Sequence, residues 1–182
     1  MTRRSLLLLP ALLFFLAANL NLCCRVAVDG EWTNARYSLA DARRGELAAR
    51  AAAEEICPRA AVLPRNEERL TLSFRPGNSG SRELSARILA RVSGVSALYA
   101  VRAEGERFGL VEDRERLEER LRAALYSSMP EGAVHARFAD AVELAPVYGR
   151  SGSASPPTEL AKAVAQIVPA VFTDREGQRV MG

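Results

Sequence analysis

Histidine and cysteine are scarce, with one His and three Cys in 182 residues. Zinc centres draw their ligands mainly from these two side chains, so little material exists for one. No serine sits in a Gly-x-Ser-x-Gly setting, and no second His is present to serve a nucleophile. Gly77 and Gly80 are not followed by Lys-Ser/Thr, which excludes a phosphate loop. The chain is also too short for a barrel enzyme with its own regulatory domain. What it has is a composition of 48% apolar and 26% charged residues, enough to bury a core in one ordinary domain or two small ones.

The folded part also lacks a charge surplus. Eight Arg face eight acids from Val26 to Gly80, eleven face eleven from Ser81 to Arg150, and three bases face three acids from Ser151 onward. The net charge of +3 therefore belongs to Arg3, Arg4 and Arg25, which flank an apolar stretch. A pI near 9.0 usually suggests a phosphate-binding surface, but this partition removes the argument, and nucleic acid is not an expected partner.

That stretch, Ser5 to Leu22, carries no charge. Its 18 residues span roughly 27 Å as a helix, close to the thickness of a hydrocarbon core. Small residues at the −3 and −1 positions of a cleavage site are missing, and Cys23 follows Leu22 rather than the small residue a lipoprotein signal needs. An uncleaved signal-anchor over residues 1–25 is the favoured reading, with cleavage, lipidation or a buried helix as alternatives. Arg3 and Arg4 on one side place the tail in the cytosol and the bulk outside a single-pass membrane span. Cys23 and Cys24 then fall at the membrane boundary. A Cys24–Cys57 disulfide is conceivable in an oxidising compartment, but a free, half-buried Cys57 is the simpler expectation.

Beyond the anchor the pattern repeats. Val26-Ala27-Val28-Asp29-Gly30 and Val101-Arg102-Ala103-Glu104-Gly105 both alternate and both close on an acidic-Gly pair, a strong hairpin signal. Gly30 matches Gly105 at an offset of 75 residues, and Gly109 adds a third turn glycine. A helix follows each hairpin. Asp41 is the expected cap of one over 41–56, with Leu47, Ala51, Ala52 and Ile56 on one face; Asp113 caps one over 114–125, with Leu117, Leu121, Ala124 and Leu125. A strand follows each helix, at Leu70–Phe74 and Val134–Val142. Further helices are expected over 82–92, burying Leu84, Ile88, Leu89 and Val92, and from Thr158 to Val168, aligning Leu160, Val164, Ile167 and Val168. The expected fold is α+β: an N-terminal membrane helix (1–25), then two hairpin-helix-strand units with helices packed on antiparallel sheet, 26–94 and 95–148. Residues 149–182 read as a flexible Gly/Ser linker and a short C-terminal helix.

The run from Tyr99 to Asp113, followed by a helix and by Ala136-Arg137-Phe138-Ala139-Asp140-Ala141-Val142-Glu143, resembles a recurring exported module. It is similar to the N-terminal region of clostridial cell-wall proteins that carry an anchor, V-x-V-x-G-x-x-x-G-x-V-x-D units, LysM-type modules and a lysostaphin-type endopeptidase. The resemblance runs over Val26 to Val147, and the first unit departs from it because Trp32 to Tyr37 lacks the second Gly. It implies an envelope location and, in the longer proteins, a zinc peptidase. The residues oppose the peptidase: two His and an Asp would hold the zinc, and this chain has His135 alone, on the outward face of a strand beside Arg137. Glu112, Asp113, Glu115, Glu118 and Glu119 interleave with Arg114, Arg116, Arg120 and Arg122 as a solvated helix face rather than a carboxylate pair.

No catalytic residue, cofactor site or metal site is expected. Trp32 and Tyr37 are candidates for stacking on sugar rings, against the plainer reading of packing residues. The expected function is a non-catalytic, membrane-anchored envelope module acting as spacer or interaction domain. Its partners are the cytoplasmic membrane through residues 5–22, and cell-wall glycan or an envelope protein. The alternative is the truncated N-terminal part of a peptidoglycan metalloendopeptidase, left open by an ending, Val171 to Gly182, with no clear cap or packing stripe.

Overall fold

The computed structural model describes Phe14, Phe15, residues 20–58 and residues 61–180. The chain divides into two compact units, with the break between Val95 and Ser96. Among the described residues four helices pack against antiparallel sheets, so the fold is α+β.

The first unit starts with β1 (Asn21–Val28), which turns at Asp29-Gly30 into β2 (Glu31–Trp32) and, after a break, β3 (Tyr37–Ser38). Asp29 and Gly30 both have positive φ, 52° and 78°, as a type I′ hairpin requires. β2 and β3 lie along the same edge of β1, pairing Ala27 with Trp32 and Cys24 with Tyr37. Between them the Arg25 guanidinium donates to the Thr33 carbonyl from Nε at 3.2 Å and Nη2 at 2.8 Å. The missing second glycine is thus answered by a broken strand. Helix α1 (Leu39–Ile56), β4 (Asn66–Ser73) and helix α2 (Ser81–Leu89) complete the unit, with β4 antiparallel to β1 on its other side. The loop after β4 holds β3 in place: Asn78 and Ser79 donate their amides to the Arg36 carbonyl, and Gly77 lies so close to that residue that a Cβ would meet the carbonyl at 2.9 Å.

Helix α1 corrects two expectations. Its N-cap is Ser38, whose hydroxyl accepts from the Asp41 amide at 3.0 Å and donates to the Asp41 carboxylate at 2.7 Å. Asp41 is the third residue of the helix, bonded to the capping hydroxyl through both its amide and its carboxylate, rather than the cap. Its buried face is Ala42, Gly45, Ala49 and Ala53, while Leu47 lies exposed. The cause is the close approach of α2: a Cβ on Gly45 would stand 2.8 Å from the Ser81 carbonyl oxygen and 3.0 Å from the Leu84 Cβ. Only a stripe of small residues fits such a contact, so leucine is excluded from the phase that periodicity favours.

The second unit repeats the order. β5 (Val95–Ala103) and β6 (Glu106–Val111) form a hairpin through Glu104-Gly105, again with both φ positive at 52° and 79°. A bulge shifts the register between Val101 and Arg102. Gly109 lies within β6 rather than in a turn, at φ 157°, where a Cβ would meet Leu160 Cδ2 at 2.8 Å. Helix α3 (Arg114–Ser127) is capped by Asp113, which accepts from the Arg116 amide at 2.9 Å. The expected strand over 134–142 is shorter, β7 (His135–Phe138), and a strand not expected from the sequence, β8 (Glu143–Arg150), follows it and is hydrogen-bonded beside β5 in the order β6-β5-β8. Helix α4 (Pro157–Ile167) packs on α3, and β9 (Ala170–Thr173) joins β7 to β10 (Arg179–Val180) in a small separate sheet.

The C-terminal stretch is therefore part of this unit. Leu160, Ala161, Val164 and Val168 share one core with Val101, Ala103, Val111, Leu117 and Leu121, whereas Ile167 lies exposed. The supposed linker is bonded in place: Gly149 is buried within β8, the Ser153 hydroxyl donates to the Arg150 carbonyl at 2.7 Å, and the Ser155 amide donates to the Leu110 carbonyl at 2.8 Å.

Most of the proposed anchor, Ser5 to Leu22, lies outside the described residues. Among those described, no helix is long and apolar enough to cross a membrane. Asn21 and Leu22 belong to β1, and Cys23 and Cys24 are buried in that strand. Arg25 lies within β1, where its guanidinium donates to the Thr33 carbonyl. All three cysteines are free and buried, which removes the Cys24–Cys57 pair.

Candidate interaction surface

The alternation of β1 sorts the first unit's side chains onto two faces. Cys24, Val26 and Val28 share the face on which α1 lies, and their direct partners across the ladders share it with them. Tyr37, opposite Cys24, is fully buried there; Trp32, opposite Ala27, is on the other face and 43% exposed. The two rings form no common platform, and Tyr37 offers no surface to a sugar.

The register also places Leu22 and Leu72 opposite each other on the helix-bearing face, with Leu70 opposite Cys24. Helix α1 lies over β1 and β3, leaving β4 at the margin. Leu70 and Leu72 are consequently 57% and 68% exposed, and Leu22 and Phe74 are exposed beside them. The result is an apolar strip along a strand whose outer edge has no strand partner among the described residues. Period-two alternation at Leu70-Thr71-Leu72 marks a sheet face meant for cover, but it cannot reveal that the covering helix stops short. This is the surface that sequence reading missed.

Other features are weaker. A shallow concavity of about 390 Å³ beside α1 is lined by Arg43, Glu46, Leu47, Arg50 and Asn66. Within it the Asn66 amide donates to the Glu46 carboxylate at 3.0 Å, while its carbonyl oxygen is buried without a partner. In the second unit a groove of about 420 Å³ runs between α3 and β7, lined by Leu125, Tyr126 and Phe138 together with Glu118, Arg122 and Arg137. His135 is exposed opposite Thr173, and the Cys57 thiol donates to the Gly94 carbonyl at 3.1 Å. Among the described residues no three His, Cys, Asp or Glu side chains gather as a metal site would require.

The buried groups of the first unit give it a pH response. Burial, then the nearby Glu68 carboxylate, raises the Cys24 thiol above its ordinary 9.0; burial, then Glu83, raises the Tyr37 phenol above its ordinary 10.0. In the unfolded chain both groups lose their protons at their ordinary values, while the folded unit still holds them. Stability is then complete below pH 9.0 and falls as pH rises through 9.0 and 10.0 toward the raised native values. Urea melts between pH 8 and 11 should show this decline, and a Cys24→Ala, Tyr37→Phe variant should show less of it.

No family model, curated protein or solved structure matches the chain.

Proposed function

We propose that the chain is a non-catalytic, exported cell-envelope module, attached to the membrane by its apolar N-terminal segment, that works by contact with a protein partner or with wall glycan. The observation that supports contact is the exposed apolar strip of Leu22, Leu70, Leu72 and Phe74 along the open edge of β4. Contiguous exposed apolar surface on a stable sheet edge is characteristic of docking rather than of chemistry. Wall glycan enters through Trp32, the exposed ring of the two candidates.

Export rests on the uncharged stretch behind Arg3 and Arg4. With Asn21 and Leu22 assigned to β1, Ser5 to Leu20 remains for the membrane, and these residues reach about 24 Å as a helix, a span at the short end. Fusions after Gly182 test the placement. Alkaline phosphatase should be active there and a fluorescent protein that matures only in the cytosol should be dark. A fluorescent, phosphatase-inactive pair would overturn export.

A further inference from the structure

The open edge of the first unit is long and unguarded. β4 offers eight residues, and from Leu70 onward its exposed side chains are apolar. Natural edge strands are commonly protected by proline, by charge or by a covering element. The corresponding edge strand of the second unit, β8, carries Pro146 in its interior, while β4 has no proline. The charges on β4, Glu67, Glu68 and Arg69, lie toward its first half, and Arg75 follows just past its end.

We propose that β4 pairs antiparallel with β4 of a second copy, about a two-fold axis through Thr71. The proposal rests on the contact reading above and names its partner. A closed two-fold perpendicular to the sheet keeps like face with like face, so the axis must pass through a residue of the strand. Charge and ladder length then discriminate among the positions. An axis at Glu68 sets that carboxylate against its own copy, and one at Arg69 does the same with two guanidinium groups. An axis at Leu70 puts Leu72 against the second copy's Glu68. One at Leu72 leaves only Thr71 to Ser73 in the ladder, because the chain bends after Ser73. With the axis at Thr71, the ladder runs from Arg69 to Ser73, Leu70 meets Leu72 twice, Arg69 meets Ser73 twice, and no like charges face each other. Directly opposed like charges destabilise a strand pair, and opposite charges or apolar pairs favour it. This register also extends the apolar strip, since Leu22 flanks Leu72 on the same face.

The test uses the full chain in mild detergent, with Arg69→Cys and Ser73→Cys made separately. In the proposed register these two positions face each other across the copies, with Cβ atoms about 4.5–5.5 Å apart. Neither position faces itself, and the native cysteines are buried. Oxidising a mixture of the two variants should give a disulfide-linked dimer about tenfold more abundantly than either variant alone. Adding Leu72→Lys to both should remove that excess and leave the chain folded, because Leu72 is exposed in the single chain. Equal yields from the mixture and the single variants, or an excess that survives Leu72→Lys, would overturn the pairing. If the dimer failed to form while residue 72 contacted another protein in cells, self-pairing would fall and the contact reading would stand.

Discussion

Replacing Leu117 by Asp should unfold the second unit. Leu117 is fully buried where α3 meets the core shared with Val101, Val111 and Val164. An unpaired carboxylate there costs several kcal/mol, through lost packing and through the desolvation that raises its pKa. A small domain has about 5–15 kcal/mol in all, so the change removes most of its margin. Glu118→Ala, one residue on, deletes an exposed pair in which Arg114 Nε donates to the Glu118 carboxylate at 2.7 Å. Pairs in that setting contribute little. Circular dichroism melts of the full chain, with hydrogen exchange read at the amides of α3 and α4, should separate the two variants clearly. Equal stability would mean that α3 does not present Leu117 to the core.

Gly45 is the second position with a large expected effect, and there two effects oppose each other. Within a helix, Gly→Ala gains about 1 kcal/mol from backbone propensity. Here the new Cβ would lie 2.8 Å from a backbone carbonyl of α2, so the start of that helix must move. Overpacking of this kind typically costs about 1–3 kcal/mol, so Gly45→Ala should be net destabilising. Gly45→Leu must drive the helices apart and uncover Leu84 and Ile88, at a cost of more than about 3 kcal/mol. Urea denaturation measures both. An alanine variant about 1 kcal/mol more stable than the parent would show that α1 and α2 do not approach so closely.

Local chemistry was the legible part of the sequence. The two acidic-Gly turns, the Asp113 cap and the leucine stripe of α3 each depend on neighbours within a few residues, and each was found where expected. The offset of 75 residues between Gly30 and Gly105 also carries Asp113 back to Ser38, so the true cap of α1 was present in the repeat. It is hidden because Asp41, which bonds to the Ser38 hydroxyl, is itself a good capping residue. Three-dimensional context accounts for the errors. Small residues in α1 look like filler until a second helix approaches them. Gly149 to Ser155 reads as linker by composition, yet Ser153 and Ser155 use their polar groups to fix a turn against β6 and β8. Asn21 to Arg25 looked like the end of a membrane segment because apolar strand and apolar helix are indistinguishable over so few residues.

The candidate surface was legible only in part. Trp32 and Tyr37 stand out for their ring chemistry, but their spacing of five residues already sets them on opposite faces of a period-two strand, and the break between β2 and β3 shifts the register by two without changing that. The exposure of Leu70 and Leu72 depends on which strand lies at the edge and how far α1 reaches, and neither is encoded near those residues.

The contact reading itself is tested most directly by placing a photo-crosslinking amino acid at residue 72 in the full chain inside living cells, with residue 47 as control. Leu47 and Leu72 are almost equally exposed, at 66% and 68%, and belong to the same unit. Exposure alone would therefore give the same yield at both. The contact reading predicts a discrete covalent adduct at residue 72 and none at residue 47, and self-pairing sets the mass of that adduct at twice that of the chain. Equal yields at the two positions, or no adduct at residue 72, would contradict the contact reading.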